Sequence, residues 1–337
     1  MKRALIFGVT GQDGALLARL LLEKEYEVHG TSRDAQMASL GNLRRLGVAD
    51  RLQVHSAATT DFRSALQVLK RVAPDEIYSL AGQSSVGLSF EQPVETLESI
   101  AHGTLNLLEA LRFLELPARF YNAGSGECFG ESPQPANEQT AFRPRSPYAV
   151  AKASAHWAVA NYREAYGLYA CTGILFNHES PLRPARFVTR KVVSAACRIA
   201  AGSGERLRLG NLDIERDWGW APEYVDAMWR MLQQPAPEDL VIATGTAHPL
   251  SRFVEVAFAE KGLDWRRHVD LDSDLHRPTD IVRSVGDPTR AATALGWKAA
   301  NGMRDVVRLM TLAETAPSDF EAWFTREPAG MSGRNVR

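Results

Sequence analysis

Two short stretches of the sequence carry side chains that could transfer protons. Tyr148 and Lys152 occur in SPYAVAKASAHW, four positions apart on a predicted helix and therefore on one face. A lysine one turn from a tyrosine can lower the pKa of the phenol and let it exchange a proton with a hydroxyl. In NAGSGECFG, Ser125 can hydrogen-bond an oxygen that becomes a carbonyl, and Glu127 offers a second proton-transfer group. These residue types favour alcohol oxidation coupled to an elimination beside the transient ketone.

A glycine-rich turn precedes these residues in the chain. Gly8, Gly11 and Gly14 of GVTGQDG follow the apolar run ALIF. Such a turn between a strand and a helix lets a pyrophosphate approach the backbone, and the helix N-terminus favours its charge. The spacing Gly-x-x-Gly-x-x-Gly is that of the short-chain dehydrogenase class. At the end of the second strand, Arg33 favours the 2′-phosphate of NADP, whereas the neighbouring Asp34 leaves NAD open.

Predicted strands and helices alternate through the first half of the chain. The strands cover residues 3–7, 26–30, 52–55, 76–81 and 119–123, and the helices cover 12–24, 40–46, 61–72 and 95–114. Parallel strands joined by right-handed crossovers follow from this alternation. We therefore expect an α/β protein with a doubly wound, Rossmann-like parallel sheet that presents the glycine turn and the NAGSGE turn at its carboxyl edge.

The second half of the chain is less regular. Predicted helices cover 146–166, 187–202, 251–261 and 301–313, and predicted strands cover 170–175 and 240–245, the latter returning to the sheet. We predict a Rossmann-like domain over residues 1–176 with returning segments near 220–250. An interleaved, smaller C-terminal substrate lobe covers 177–316, and residues 317–337 form a frayed tail.

Composition limits the classes of partner. The chain has 337 residues, of which 45% are hydrophobic and 23% are charged, an ordinary globular balance. Its 39 basic and 40 acidic residues nearly cancel, so we expect neither nucleic acid nor an anionic membrane as a partner. No apolar stretch approaches the roughly 18 residues that a membrane helix needs. The apolar run ALIF near the N-terminus is too short to predict a signal peptide.

The cysteines and the aromatic residues predict structural roles. Cys128, Cys171 and Cys197 form no CxxC pair and are odd in number, which argues against a disulfide framework and a metal site. We therefore expect no metal and a cytoplasmic protein. His178 has no partner at metal-ligand spacing and is expected to form structural hydrogen bonds. A set of three tryptophans is expected to belong to the core: Trp218, Trp220 and Trp229.

Several longer segments resemble one family. They are GVTGQDG, LLLEKEYEVHG, EIYSLAGQSSVGLSFEQP, PRSPYAVAK, NYREAYGLYACTGILFNHESPLR, FVTRK, LGNLDIERDWG and YVDAMWRMLQQ. Together they are similar to the GDP-mannose 4,6-dehydratase family of extended short-chain dehydrogenases/reductases, from residue 3 to about residue 313. The resemblance implies that Tyr148 takes the proton of the sugar C4 hydroxyl while hydride passes to NADP. Glu127 would remove the C5 proton and protonate the departing C6 hydroxyl, and the hydride would return to C6.

The same resemblance implies the binding residues. For the cofactor these are Gly8, Thr10, Gly11, Gln12, Asp13, Gly14, Arg33, Leu80, Ala81, Gln83, Tyr148, Lys152 and His178. For a GDP-sugar, GDP-mannose above all, they are Ser85, Asn177, Lys191, Arg216 and Arg277, with Arg183 as a further candidate. Extended members of the class pack the helices predicted at 95–114 and 146–166 into an intersubunit bundle. The resemblance therefore implies a homodimer or a homotetramer.

Four positions depart from the family pattern. The usual Ser-Thr-Ser-Glu is GSGE over residues 124–127, Ala58 stands where the family has an adenine-contacting aspartate, Glu98 replaces an asparagine, and SRDAQ is shortened. These departures leave open a related GDP-sugar epimerase, a 4-ketoreductase or an enzyme for GDP-heptose or GDP-octose. A nucleotide-binding module without turnover is a further alternative, although Ser125, Tyr148 and Lys152 argue against it.

Overall fold

Thirteen strands are present in the computed structural model, which describes residues 1–316; the predicted tail lies outside the described residues. They are β1 (Arg3–Phe7), β2 (Glu27–Ser32), β3 (Gln53–Ser56), β4 (Glu76–Ser79), β5 (Arg119–Ala123), β6 (Ala170–Leu175), β7 (Asn177–Glu179), β8 (Leu207–Leu209), β9 (Glu215–Trp220), β10 (Leu240–Ile242), β11 (Ala247–Pro249), β12 (Val269–Leu271) and β13 (Arg283–Ser284). Seven of them form one parallel sheet in the order β10-β6-β5-β4-β1-β2-β3. The predicted doubly wound sheet is confirmed, including the return of the strand near residue 240.

Twelve α-helices surround and extend this sheet in the described part of the chain. They are α1 (Gln12–Glu23), α2 (Gly41–Arg45), α3 (Phe62–Val72), α4 (Val86–Glu91), α5 (Pro93–Leu97), α6 (Gly103–Phe113), α7 (Pro147–Tyr166), α8 (Val188–Ala200), α9 (Ala221–Leu232), α10 (Leu250–Ala259), α11 (Thr289–Leu295) and α12 (Met303–Thr315). The helix predicted over 95–114 is divided, because a π-helical segment, Glu98–His102, joins α5 to α6.

The central strands are apolar because helices cover both faces of the sheet. The residues 4–7 of β1 are fully buried, and every residue of β4 and of β6 is buried as well. Strand order reverses at β1, which lies between β4 and β2. A ligand cleft of a doubly wound sheet forms at such a reversal, outside the carboxyl ends of the strands.

The C-terminal half contributes to two cores. Apolar residues of α9 and β10 pack with α1 in the core of the large sheet. A second core lies among α8, α10, α12 and β9, and it contains the buried side chains of Trp218, Trp220 and Phe253. Trp229 is partly buried on α9, where its Nε1 donates to the Tyr26 hydroxyl at 3.2 Å. The division into domains at residue 176 stays a prediction.

Candidate active site

The glycine turn is shaped to admit a pyrophosphate. Gly8 has a φ of +86°, and a Cβ atom there would lie 2.9 Å from the amide nitrogen of Ala81. A Cβ atom at Gly14 would lie 2.2 Å from the carbonyl oxygen of Gly8. Among the described residues no side chain caps the start of α1 at Gly11, so its first amide groups are available to an anion. The backbone of this turn alone therefore provides the space and the amide groups that a dinucleotide pyrophosphate needs.

Two adjoining clefts lie at the carboxyl edge of the sheet. The larger has a volume of about 900 Å³ and brings together predicted cofactor residues: Gly8, Thr10, Gly11, Gln12, Asp13, Gly14, Arg33, Leu80, Ala81 and Gln83. The smaller, of about 310 Å³, brings together Ser85, Ser125, Glu127, Tyr148, Lys152, Asn177, His178, Arg216 and Arg277. Asp13, Leu80 and Arg183 line both, so the clefts are continuous.

Lys191 is the predicted substrate residue that the structure does not bring to a cleft wall. Its Nζ donates to the carbonyl oxygen of Arg208 on β8 at 2.7 Å, and Lys191 is not among the residues that line the smaller cleft. Burial and the nearby charge of Arg208 lower the pKa of Lys191. Its contact with substrate stays a prediction.

The GSGE turn follows β5 and places two polar side chains in the smaller cleft. Residues 126–129 form a 3₁₀ turn that Ser125 caps, since its Oγ accepts from the amide nitrogen of Glu127 at 3.3 Å. A Cβ atom at Gly126 would lie 3.0 Å from the ring of Phe176, so a larger residue would displace the turn or the ring. The Glu127 carboxylate forms no hydrogen bond or ion pair with other described residues, which leaves it available to a ligand.

Helix α7 brings Tyr148 and Lys152 to the opposite wall. It begins at Pro147, and the Oγ of Ser146 caps it by accepting from the amide nitrogen of Ala149 at 3.1 Å. Burial lowers the pKa of Lys152 to about 8. Its Nζ donates to the carbonyl oxygen of Ala123 at 2.7 Å and lies 5.8 Å from the centre of the Tyr148 ring.

The predicted lowering of the Tyr148 pKa by Lys152 is wrong for this structure. Burial raises the pKa of Tyr148 above its usual range, and a hydrogen bond with Ser125 opposes this only in part. The Lys152 ammonium group is engaged by Ala123 instead of the phenol. The proximity of the three polar side chains, Ser125, Tyr148 and Lys152, nevertheless agrees with the predicted set.

His178 forms a hydrogen-bonded pair beneath the glycine turn. Its Nε2 lies 3.0 Å from the Asp13 carboxylate, and its Nδ1 lies 2.7 Å from the carbonyl oxygen of Phe176. Burial opposes the charge on both partners, but their mutual attraction and hydrogen bond raise the pKa of His178 and lower that of Asp13 to about 2. His178 therefore forms hydrogen bonds, and these bonds fix the first turn of α1 against β7.

Four arginines line the smaller cleft, and three of them were predicted from the sequence: Arg183, Arg216 and Arg277. Arg216 is almost fully buried, with its guanidinium donating to the Ile281 carbonyl at 2.7 Å and to Asp280 at 2.9 Å. Arg277 lies 3.7 Å from the same carboxylate, and Arg183 pairs with Glu179 at 3.1 Å. Several guanidinium groups lining one cleft can bind a diphosphate.

Sequence reasoning missed Arg186 and Phe187, which line both clefts. The Phe187 ring contacts two guanidinium groups, with the Cζ atoms of Arg183 and Arg186 at 4.2 and 5.2 Å from the ring centre. The signal was the segment PARFVTRK, in which Arg186 directly precedes a motif already recognised as specific. Within residues 1–316, no cluster of three or more His, Cys, Asp or Glu side chains could hold a metal ion. No helix of this part is both long and apolar enough to cross a bilayer.

The sheet and the two clefts define a Rossmann-like protein of the short-chain dehydrogenase/reductase class. Among solved structures, the Thermus thermophilus UDP-glucose 4-epimerase complex with NAD matches 93% of this chain and 99% of its own, with a TM-score of 0.82 and 24% identity. RMD from Pseudomonas aeruginosa complexed with NADPH matches 96% and 100%, with a TM-score of 0.78 and 23% identity. At these identities the likeness shows the fold.

Sequence comparison identifies the family within this class. The family model described as GDP-mannose 4,6 dehydratase matches residues 5–310, and the chain belongs to this family. GDP-mannose 4,6 dehydratase 1 of Arabidopsis thaliana is 46% identical over 319 residues, covering 92% of this chain and 88% of the relative. GDP-mannose 4,6 dehydratase of Homo sapiens is 42% identical over 337 residues, covering 92% and 91%.

Proposed function

We propose that this protein is a GDP-mannose 4,6-dehydratase that converts GDP-mannose to GDP-4-keto-6-deoxy-mannose. Relatives that carry this activity in their names cover most of the chain. The observation that carries the proposal is the common cleft of Glu127, Ser125 and Tyr148. A reductase or a simple dehydrogenase needs the hydroxyl and the phenol, but only an elimination needs the additional carboxylate.

The chain's own residues move the protons. Ser125 donates to the oxygen on C4, and Tyr148, as a phenolate, accepts the proton of the C4 hydroxyl. Glu127 then removes the C5 proton, which the C4 ketone has made acidic, and delivers it to the C6 hydroxyl, which leaves as water. A dinucleotide in the larger cleft would supply the hydride acceptor for C4 and the hydride donor for C6. Tyr148 would return its proton to C5 as the hydride reaches C6, which regenerates the phenolate. The two redox steps cancel, so one substrate gives one keto-deoxy sugar and one water.

We propose that Lys152 stabilises the phenolate form of Tyr148. Burial holds the proton on Tyr148, so a cation must stabilise the ionised form for the phenol to act as a base. The Lys152 ammonium group reaches the phenol by exchanging its hydrogen bond to Ala123 for contacts with the ligand and with Tyr148. The partly buried position of Lys152 in the cleft wall strengthens the effect of its charge, because water screens a charge less there than at an open surface.

The proposed substrate site uses the basic wall of the smaller cleft. Arg216 and Arg277 bind the diphosphate, and Arg183 lies where the two clefts meet. Asn177 and Ser85 offer polar groups to the nucleotide and the sugar, and Ser85 also caps α4 by accepting from the amide of Leu88. Lys191 is retained as a proposed contact at the outer end of the site.

NADP is the proposed cofactor. Arg33 lines the larger cleft, beyond the carboxyl end of β2. The neighbouring Asp34 carboxylate accepts hydrogen bonds from the amides of Gln36 and Met37 at 2.9 and 3.2 Å, so it closes its own turn. A guanidinium group without a competing carboxylate at this position suits a 2′-phosphate.

A homodimer built on α5 to α7 is proposed as the minimum assembly. Large apolar side chains are exposed on these helices: Val94, Leu97, Leu105, Phe113, Val150 and Trp157. A surface of this kind favours association with a second copy. Since all three cysteines are free, a reducing cytoplasm remains the proposed location.

The decisive experiment incubates the purified protein with GDP-mannose and with no other reductant or oxidant. We expect a product lighter by one water that carries a 4-keto group by NMR. An isomer of unchanged mass would indicate an epimerase, and a product that forms only with an added reductant would indicate a 4-ketoreductase. GDP-heptose in a parallel reaction distinguishes a longer sugar substrate.

A further inference from the structure

A π-helical segment forms one wall of the larger cleft. Residues 98–102 join α5 to α6, and Glu98 and Ser99 line the cleft. Two loops hold this segment. The Oγ of Ser99 accepts from the amide of Gln83 at 3.1 Å, and Gly103 approaches Thr59 so closely that a Cβ atom would lie 2.7 Å from its Oγ1. The segment is thereby fixed between the loops that follow β4 and β3, and π-turns often mark functional positions.

The fold decides which part of the cofactor reaches this wall. In this fold the pyrophosphate of a dinucleotide would lie at the glycine turn, with the nicotinamide toward the cleft of Tyr148. Arg33 marks the ribose that carries the adenine, on the opposite side toward β2 and β3. The adenine of a bound dinucleotide would therefore lie between the loop of residues 57–60 and the π-helical segment, both of which line the larger cleft.

Two backbone carbonyls of the loop after β3 already accept hydrogen bonds within the protein. The amide and the carbonyl of Ala58 both bond the hydroxyl of Ser64, at 3.2 and 3.1 Å. The carbonyl oxygen of Thr59 accepts from Asn106 at 2.8 Å. Polar groups occupied in this way are poor partners for the exocyclic amino group of adenine.

Carboxylates on the facing wall remain available. Three carboxylates line the larger cleft, and one of them, Asp13, is paired with His178. The other two are Glu95 and Glu98, which have no ion pair within the described residues. Glu98 lies in the segment anchored at both of its ends, whereas Glu95 lies on α5, outside those anchors.

Resting on the proposed cofactor, we propose that Glu98 is a specificity-determining residue that accepts a hydrogen bond from the 6-amino group of adenine. Glu98 supplies a charged acceptor opposite the β3 loop, in which the carbonyls of Ala58 and Thr59 are already engaged, and the π-helical segment holds Glu98 in the cleft wall. A hydrogen bond from a neutral amine to a charged acceptor is stronger than a neutral one. Glu98 therefore selects adenine nucleotides over purines that lack this donor.

The test compares NADP with the analogue in which hydrogen replaces the 6-amino group of the purine. Dissociation constants are measured by calorimetry on protein stripped of cofactor, for wild type, Glu98→Ala and the matched control Glu95→Ala. We expect wild type and Glu95→Ala to bind NADP about 10-fold more tightly than the analogue, and Glu98→Ala to bind both within about 3-fold. The NAD pair is measured in parallel, so that the 2′-phosphate does not enter the comparison.

The results distinguish a failure of the proposed role of Glu98 from a failure of the proposed function. Equal binding of both nucleotides by wild type overturns the role of Glu98, as does a preference that persists in Glu98→Ala. If Glu95→Ala instead loses the preference for NADP over the analogue, then Glu95 binds the amino group, and the proposed role of Glu98 is overturned. If wild type binds neither NADP nor NAD, the proposed function itself fails, and the two failures are thereby distinguished.

Discussion

The Nζ of Lys152 donates to the carbonyl oxygen of Ala123 across 2.7 Å, which joins the helix of Tyr148 to the last residue of β5. The turn that carries Ser125 and Glu127 begins directly after this strand. One hydrogen bond therefore holds together the two walls of the smaller cleft. Because the ammonium group is buried, it also responds to pH in a way that can be measured.

Replacing Lys152 with Met should change how stability depends on pH in cofactor-free protein. The pKa of Lys152 is about 8 in the folded chain and 10.5 in the unfolded chain. Between pH 8 and 10.5 the unfolded chain therefore binds more protons than the folded chain. Lys152 should therefore increase the free energy of unfolding of wild type by up to roughly 3 kcal/mol as the pH rises from about 8 to 10.5.

Urea unfolding across this pH range measures the effect. We expect Lys152→Met to lack this increase in the free energy of unfolding. Relative to wild type, the variant should be most stable below about pH 8, where wild type carries a charged ammonium group in a desolvated position. Lys70→Met, on the exposed side of α3, serves as the control and should keep the wild-type slope. Parallel pH profiles for wild type and Lys152→Met would contradict the burial of a titrating ammonium group.

Glu127→Gln should stop water loss while leaving the oxidation at C4 possible. The amide retains the size of the side chain but cannot take the C5 proton. With GDP-mannose we expect reduced nicotinamide to accumulate on the enzyme, without a product lighter by one water and without exchange of the C5 hydrogen with deuterated solvent. Glu164→Gln, exposed on α7, is the matched control. Normal turnover by Glu127→Gln would remove the carboxylate from the mechanism.

Tyr148→Phe should lower kcat by roughly 100-fold or more, the range expected for loss of a general acid–base group. The ring and its packing are preserved, so the thermal midpoint should change little. Tyr166→Phe, at the exposed end of the same helix, should retain activity. A loss of only a few-fold would show that another group accepts the C4 proton.

Arg33→Ala should weaken NADP binding by about 10-fold or more, because a charge-assisted bond to the 2′-phosphate is lost. NAD lacks that phosphate, and its affinity should change by less than about 3-fold. Titration of the stripped protein with each dinucleotide measures both constants. Arg44→Ala, exposed on α2, is the control. Equal losses for NADP and NAD would assign Arg33 to the fold instead of cofactor choice.

The sequence predicted the elements that carry strong local patterns. Apolar runs followed by turns fixed the strands of the large sheet, and the spacing of Tyr148 and Lys152 placed both on α7 as expected. Small strands such as β8 and β13 could not be predicted, because two or three residues carry no period and their pairing depends on distant partners. The π-turn at Glu98 was missed for a related reason, since the apolar pattern continues across it.

The electrostatics of the site depended on burial, which the sequence does not contain. The spacing of Tyr148 and Lys152 predicts a lowered phenol pKa, but desolvation raises it. Similarly, Asp13 and His178 are 165 positions apart in the chain, and only the fold brings them within hydrogen-bonding distance. Motif residues on neighbouring strand ends were predictable, whereas groups whose state depends on packing were not.

Trp157→Glu should reduce the assembly to a smaller species. The indole is 62% exposed on α7 and belongs to the apolar surface shared with α5 and α6, so an interface there would bury it in wild type. A carboxylate in its place would have to be desolvated, which opposes association. Sedimentation equilibrium of both proteins measures the mass. The variant Leu271→Glu controls for the added charge, because Leu271 is 69% exposed on β12. If the mass of Trp157→Glu equals that of wild type and of the control, the subunits meet through a different surface.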